Sequence, residues 1–263
     1  MIADFHNDIL TKANVPDLAG LSKGVKSCVC AVYTGARTLD TVRSLVKKLR
    51  EADSKNLYLA LEDASYLEEG NAEEVCGWKP VSVSLTWNAQ NKLAGGCLSD
   101  GGLTARGRAV VKKLAANGIV PDCAHLNARS FYDLLDQVPC LVDTHTCLSG
   151  VYRHPRNLDD AQIKEIADRG GLIGIAFVGK FLAENGAGMR EVFRHVDYGV
   201  QKFGDHCFCF GTDFNGTDDL PGGLKSYADA ESLRELFYKA GYPKRSVDKI
   251  FVENLQNFLA KKS

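Results

Sequence analysis

The stretch TARGRAVVKKLAANGIVPDCAH, residues 104–125, reads as a helix that runs directly into a strand. Thr104 is placed to cap the helix, Gly118 to end it as a C′ residue, and GIVPDCAH (118–125) then forms a short apolar strand closing on a histidine. Working outward, seven more short apolar segments recur. They are IADFHND (2–8), SCVCAVY (27–33), LYLALED (57–63), VSVSLTW (81–87), CLVDTH (140–145), LIGIAFV (172–178) and CFCFGTD (207–213). Amphipathic stretches lie between most of them. LDTVRSLVKKLREAD (39–53) puts Val42, Leu45, Val46 and Leu49 on one helical face, and DDAQIKEIADRGG (159–171) ends on Gly170 or Gly171. Strand alternating with helix predicts a parallel α/β sheet, and eight strand candidates predict a closed (β/α)8 barrel formed as one domain over residues 1–263. A doubly wound open sheet is the structural rival. The first unit is irregular: residues 9–26 hold Pro16 and two glycines and lack a helical period.

The bulk numbers suit an enzyme-sized globular chain. At 263 residues, 45% hydrophobic and 25% charged, it buries enough apolar surface to need no disulfide or oligomeric staple. A net charge of −1 and the lack of a basic cluster exclude a general nucleic-acid binder. No run of about 18 apolar residues exists, so no membrane span is expected. MIADFHNDIL carries acidic residues where a signal peptide needs positive charge, and a cytoplasmic location without leader or anchor is expected. The nine cysteines read as reduced core thiols, with each C-x-C pair (Cys28 and Cys30, Cys207 and Cys209) on one face of its strand. Zinc-finger spacing is missing.

Metal-competent side chains fall at the strand ends. His6 and Asp8 close the first strand, Glu62 the third, His125 the fifth, His145 the sixth and Asp213 the eighth. In a barrel these positions meet at the carboxyl-end mouth, where such folds carry their chemistry. A lone aspartate at a strand end can simply cap the next helix, but that does not account for three histidines. Imidazole with carboxylate suits zinc and tolerates manganese or cobalt, whereas calcium and magnesium sites are built from oxygen. His-x-Asp points both side chains the same way along a strand. Glu62 has two oxygens and can bridge two ions roughly 3.5–4 Å apart, and a hydroxide held between them, formed near pH 7, is the expected nucleophile. Asp213 is placed to orient that water, take its proton and pass it to the leaving amine.

These motifs, in order, resemble the membrane dipeptidase (renal dipeptidase) family, the M19 metallopeptidases. The resemblance is carried by DFHND (4–8), LALED (59–63), LTWNAQNKLAGG (85–96), residues 101–125, VDTH (142–145), RHPRNLDDAQIKEIADRGGLIGIAF (153–177) and GTDFNG (211–216). It implies a barrel with a binuclear zinc (Zn2+) site. His6 and Asp8 match the ligands of one ion, Glu62 the bridging carboxylate, and His125 and His145 the ligands of the other. Asp213 matches the catalytic acid/base. Arg156 matches the arginine that grips a dipeptide's terminal carboxylate, a task for which Arg153 competes and which a guanidinium fork suits. Related proteins are often homodimers.

The chain departs from the family pattern at Trp87, where a substrate-contacting histidine commonly follows Leu-Thr, and at Asn215, where a second aspartate is common. An indole offers one N–H and no second protonation state, so Trp87 implies an altered substrate or weaker peptidase activity. Asn215 is expected to shape its loop, and His154, His195 and His206 to be structural. Three functions follow. The first is a zinc dipeptidase acting on a small peptide; the second is another binuclear zinc amidohydrolase, acting on a cyclic amide, β-lactam or N-acyl amino acid. The third is a catalytically silent barrel that binds metal or peptide.

Overall fold

The computed structural model describes residues 1–12, 16–35 and 37–262. Eight parallel strands form one sheet: β1 (Ala3–Asn7), β2 (Ser27–Tyr33), β3 (Leu57–Glu62), β4 (Ser82–Ser84), β5 (Val120–Asp122), β6 (Asp143–Thr146), β7 (Ile173–Ile175) and β8 (Phe208–Phe210). Their order is β5-β4-β3-β2-β1-β8-β7-β6. A bridge between Asp122 and Val142 joins the two ends, with Cys123 N–H donating to Val142 O at 2.8 Å and Val142 N–H to Pro121 O at 3.1 Å. The sheet therefore curls into the expected barrel rather than the open rival.

Local chemistry places the helices where the sequence put them. Leu39–Glu51 buries Val42, Leu45, Val46 and Leu49. Ala105–Ala116 is capped by Thr104, whose hydroxyl accepts the Gly107 N–H at 3.0 Å. Asp160–Asp168 begins with a reciprocal box between Asp159 and Gln162. Gly118 and Gly170, at φ +73° and +68°, turn the chain out of these two helices in the left-handed region. The irregular first unit differs from expectation. It holds two short helices, Ile9–Lys12 and Leu18–Gly24, the second capped by Asp17, while residues 13–15 of that stretch lie outside the described residues.

Several strands are shorter than the apolar segments that announced them. Trp87, His125 and Asp213 each lie beyond the last strand residue (Ser84, Asp122 and Phe210) rather than at it. The backbone has already left β geometry there: His125 and Asp213 have φ of +70° and +59°. Register shifts interrupt two strands. Asp4 and Asn7 of β1 face Cys28 and Cys30, and Asp143 and Thr146 of β6 face Ile173 and Ile175, three steps against two in each case. Such bulges re-aim side chains near active sites.

The lower end of the barrel is apolar and plugged by the final helix, Asn254–Ala260, whose Leu255, Phe258 and Leu259 pack with Ala3, Phe5 and Val29. Phe5 and Phe258 meet edge-on at 5.3 Å between ring centroids. Emptying either ring position costs on the order of 3–5 kcal/mol. All nine cysteines are free thiols, seven of them buried. Cys28 and Cys30 share the helix-facing cluster as expected, but Cys207 and Cys209 divide between that cluster and the interior one. β8 starts only at Phe208, so the strand alternation does not extend back to Cys207. Among the described residues no helix is long and apolar enough to cross a membrane.

Candidate metal centre and active site

The two bulges and the left-handed turns bring all six sequence-chosen residues to one point at the barrel mouth. His6, inside the β1 bulge, has its Nε2 3.2 Å from Asp8 Oδ2, 3.5 Å from Glu62 Oε2 and 4.0 Å from Asp213 Oδ1. The other oxygen of Glu62, Oε1, lies 2.8 Å from His125 Nε2 and 3.7 Å from His145 Nε2. His125 Nε2 and His145 Nε2 are 2.9 Å apart. Among the described residues three sets of donor atoms are close enough to hold a cation: His6, Asp8 and Glu62; Glu62, His125 and His145; and His6, His145 and Asp213.

The far side of each ring explains why its Nε2 faces inward. His125 Nδ1 donates to Asn88 Oδ1 at 2.8 Å, and the Nδ1 atoms of His6 and His145 each lie 3.1 Å from Thr144 Oγ1. Converging imidazole lone pairs and carboxylate oxygens, all buried, are the donor chemistry of a divalent transition metal. The residues present therefore fit such an ion.

The electrostatics of the metal-free protein are those of crowded like groups. Burial works against a charged His6, but the Asp8 and Glu62 carboxylates outweigh it and hold its pKa well above the imidazole range. Burial, with Arg156 nearby, pushes His125 down to about 4, and burial with His6 and Arg156 depresses His145 well below its usual value. Glu62 is held well below the carboxylate range, because its close contacts with the His125 and His6 imidazoles outweigh its burial. Asp213 goes the other way. Burial, and then the charges of Asp8 and Glu62, raise it well above an ordinary aspartate.

A cavity of about 620 Å3 opens over these groups, a size suited to a small ligand. Arg156 enters it buried, its Nη2 donating to His145 O at 2.7 Å and its guanidinium 5.3 Å from the Phe181 ring centroid. Its Nε has no hydrogen-bond partner among the described residues. Arg153, the competitor, is exposed and lines a separate depression with Ser149 and Gly150. Trp87 lines the cavity 47% exposed, its ring 6.0 Å from His125 and 5.9 Å from Tyr33. Asn215 also lines it at φ +68°, donating to Asn7 Oδ1 at 3.0 Å, which is a loop-shaping bond. His195 is structural, bridging Leu148 N–H and Leu182 O at 3.0 Å each, and His206 is exposed. His154 accepts Arg156 N–H at 3.2 Å and lies at the cavity rim.

Sequence reading missed Asn88, Thr144 and Asp122, which bond the imidazoles or one another, and Gly216. Each stands within a few residues of a residue that was chosen, in LTWN, VDTH, VPDCAH and DFNG, but nothing in their spacing marks them. A Cβ at Gly216 would fall 2.1 Å from Asp213 Oδ1 and 2.4 Å from Asp8 Oδ2, so only glycine leaves room for both carboxylates as they stand.

Residues 25–262 match the profile of the membrane dipeptidase family, peptidase family M19. The chain belongs to that family. Family membership makes it a metallohydrolase, and the donor cluster above supplies a place for the metal. A Klebsiella pneumoniae protein described as an uncharacterized protein in the pqqA 5′ region is 29% identical over 187 residues, covering 66% of this chain and 69% of that one. Two solved structures share the fold. An amidohydrolase from Pseudomonas aeruginosa superposes with a TM-score of 0.85 at 21% identity, covering 100% of this chain and 96% of its own. A metallo peptidase from Rhodobacter sphaeroides, liganded with a phosphinate mimic of the dipeptide L-Ala-D-Ala, gives 0.81 at 20% identity, covering 100% and 99%.

Proposed function

We propose that this member of the family is a zinc-dependent dipeptidase holding two ions, one on His6, Asp8 and Glu62 and the other on Glu62, His125 and His145. The observation that carries this reading is the placement of Glu62. Its Oε2 faces His6 at 3.5 Å, while its Oε1 faces His125 at 2.8 Å and His145 at 3.7 Å. A carboxylate with its oxygens on two imidazole groups would serve two cations at once. When bound, zinc supplies Lewis acidity that polarises a carbonyl and makes water acidic near neutral pH.

The chain's own residues supply the rest. Arg156 receives the substrate's free carboxylate with a buried fork whose Nε has no partner among the described residues, and Phe181 backs its guanidinium. Asp213, placed 4.0 Å from His6 Nε2 in the donor cluster, accepts a proton from the attacking water and returns it to the leaving amine. Trp87 and Tyr33 wall the opening of the cavity. A cytoplasmic location, where nine free thiols stay reduced, completes the reading, together with the homodimeric assembly implied by the resemblance.

A second reading, another binuclear zinc amidohydrolase, is favoured by one feature: Trp87 stands where a histidine is common, so that position offers no ionisable donor. Against a catalytically silent barrel stands Asp213, a carboxyl group aimed into the donor cluster where a proton must be moved. Metal analysis joined to a panel of L,L and L,D dipeptides tests the proposal, the L,D members being suggested by the Rhodobacter sphaeroides ligand. Two zinc equivalents with dipeptide turnover support it. Zinc without dipeptide turnover, but with hydrolysis of an N-acyl amino acid, replaces it with the second reading.

A further inference from the structure

Thr144 is fully buried and lies beside His145 within the β6 bulge. Its hydroxyl has three neighbours: Asp122 Oδ2 at 2.6 Å, His6 Nδ1 at 3.1 Å and His145 Nδ1 at 3.1 Å. A hydroxyl has one proton and two lone pairs. Asp122 fixes where the proton goes. That carboxylate is held by the Ala124 and Thr144 N–H groups on Oδ1, at 2.9 and 3.1 Å, which leaves Oδ2 to accept from Thr144. Both lone pairs of Thr144 then remain for two Nδ1–H donors. Nδ1 of each imidazole is thereby held as an N–H donor, which leaves Nε2 as the nitrogen turned to the cavity and free to take a cation. His6 Nε2 faces Asp8 and Glu62 Oε2, whereas His145 Nε2 faces His125 and Glu62 Oε1.

We propose that Thr144 and Asp122 form one positioning device serving both metal positions, so that a single hydroxyl sets the tautomer of one histidine in each. The proposal rests on the two-metal reading above. The bulge makes it possible, because in an unbroken strand the neighbours Thr144 and His145 would point to opposite faces. Asp122 also ties β5 to β6 through Thr144 N–H, so the device spans the join of the barrel.

Calorimetric binding of zinc to the metal-free wild type, Thr144→Val, Thr144→Ser and Asp122→Asn tests it, with the unfolding midpoint of each metal-free protein as the check on folding. Thr144→Val, which keeps the shape and removes the hydroxyl, should weaken both sites roughly ten- to a hundredfold. Thr144→Ser should restore wild-type affinity. Asp122→Asn should also weaken binding, because an amide N–H given to Thr144 turns the hydroxyl proton toward one imidazole. Unchanged affinity in Thr144→Val, or weakening at one site alone, overturns the shared role. Zinc-loaded wild type gives a readout that needs no variant: long-range 1H–15N spectra should show His6 and His145 protonated at Nδ1, and a proton on Nε2 of either overturns the proposal. A wild type that takes up no zinc fails differently, since it removes the two-metal reading and the proposal together.

Discussion

His125 Nε2 and His145 Nε2 lie 2.9 Å apart, while the other nitrogen of each ring is engaged by Asn88 or Thr144. Without a proton or cation between them, two lone pairs face each other in a buried site, an arrangement that destabilises the metal-free fold. Zinc at a hundredfold excess over its dissociation constant contributes about 2.7 kcal/mol. For a chain of this size that corresponds to a rise in Tm of roughly 5–10 °C. Scanning fluorimetry with chelator and then with added zinc measures it, and an unmoved Tm would mean that the cluster holds no ion.

Gly216→Ala should damage the site without unfolding the barrel. The added methyl group would sit 2.1 Å from Asp213 Oδ1 and 2.4 Å from Asp8 Oδ2, forcing both carboxylates to move. Displacements of about 1 Å at reacting groups can cost on the order of a hundredfold. A fall in kcat of that size with an unchanged circular dichroism spectrum is expected, and activity within twofold of wild type would show that neither carboxylate needs its present position.

Asp213→Asn keeps the side-chain shape and removes the proton acceptor. Zinc content should stay at the wild-type value while turnover falls by about 10²–10⁴. Atomic absorption beside a peptidase assay separates the possibilities: loss of zinc would make Asp213 a ligand, which its 4.0 Å approach to His6 Nε2 allows geometrically.

Trp87→His should raise activity on simple dipeptides, because it returns an ionisable donor to a wall beside His125. An oxyanion donor is worth on the order of 10²–10³ in rate. If kcat/KM stays flat or drops across the panel, Trp87 is fitted to a substrate of its own.

Two buried neutral histidines, His195 and His125, should each withdraw stability as the pH falls below about 6.5. Burial pushes His195 and His125 each from an ordinary 6.5 to about 4, so between those values the unfolded chain binds protons that the folded chain refuses. The share of stability that rests on these two groups is therefore complete above pH 6.5 and is lost as the pH falls toward about 4, each accounting for on the order of 3 kcal/mol. His195 is away from the metal cluster, and glutamine can meet both Leu148 N–H and Leu182 O. Urea midpoints of chelated His195→Gln should fall less steeply with acid than those of wild type, and an equal slope would contradict the assignment.

The residue types at the mouth were legible because histidines and carboxylates at the ends of apolar segments have few other uses. Their backbone setting was not. Alternation over VPDCAH or CFCFGTD implies strands running to His125 and Asp213, whereas the chain turns into left-handed geometry before both. The bulges in β1 and β6 are equally silent in sequence, since they arise from register against the neighbouring strands. Thr144 meets both imidazoles only because the β6 bulge turns it beside His145, and nothing in sequence marks Asn88, Asp122 or Gly216 as their neighbours. Arg153 and Arg156, three positions apart, look alike in sequence, and only burial separates them, one lining the cavity over the cluster and the other outside it.

The join between β5 and β6 is the most thinly bonded part of the barrel wall, held by the Asp122–Val142 bridge and the Asp122 carboxylate. His125 follows one of those strands and His145 lies in the other. A cation gripping both rings would rivet the two sides, so loss of the ion and local breathing of the wall become one equilibrium. The empty protein should exchange its Cys123 and Val142 amide protons with solvent sooner than the loaded one, making the barrel's weakest stitch a gauge of occupancy.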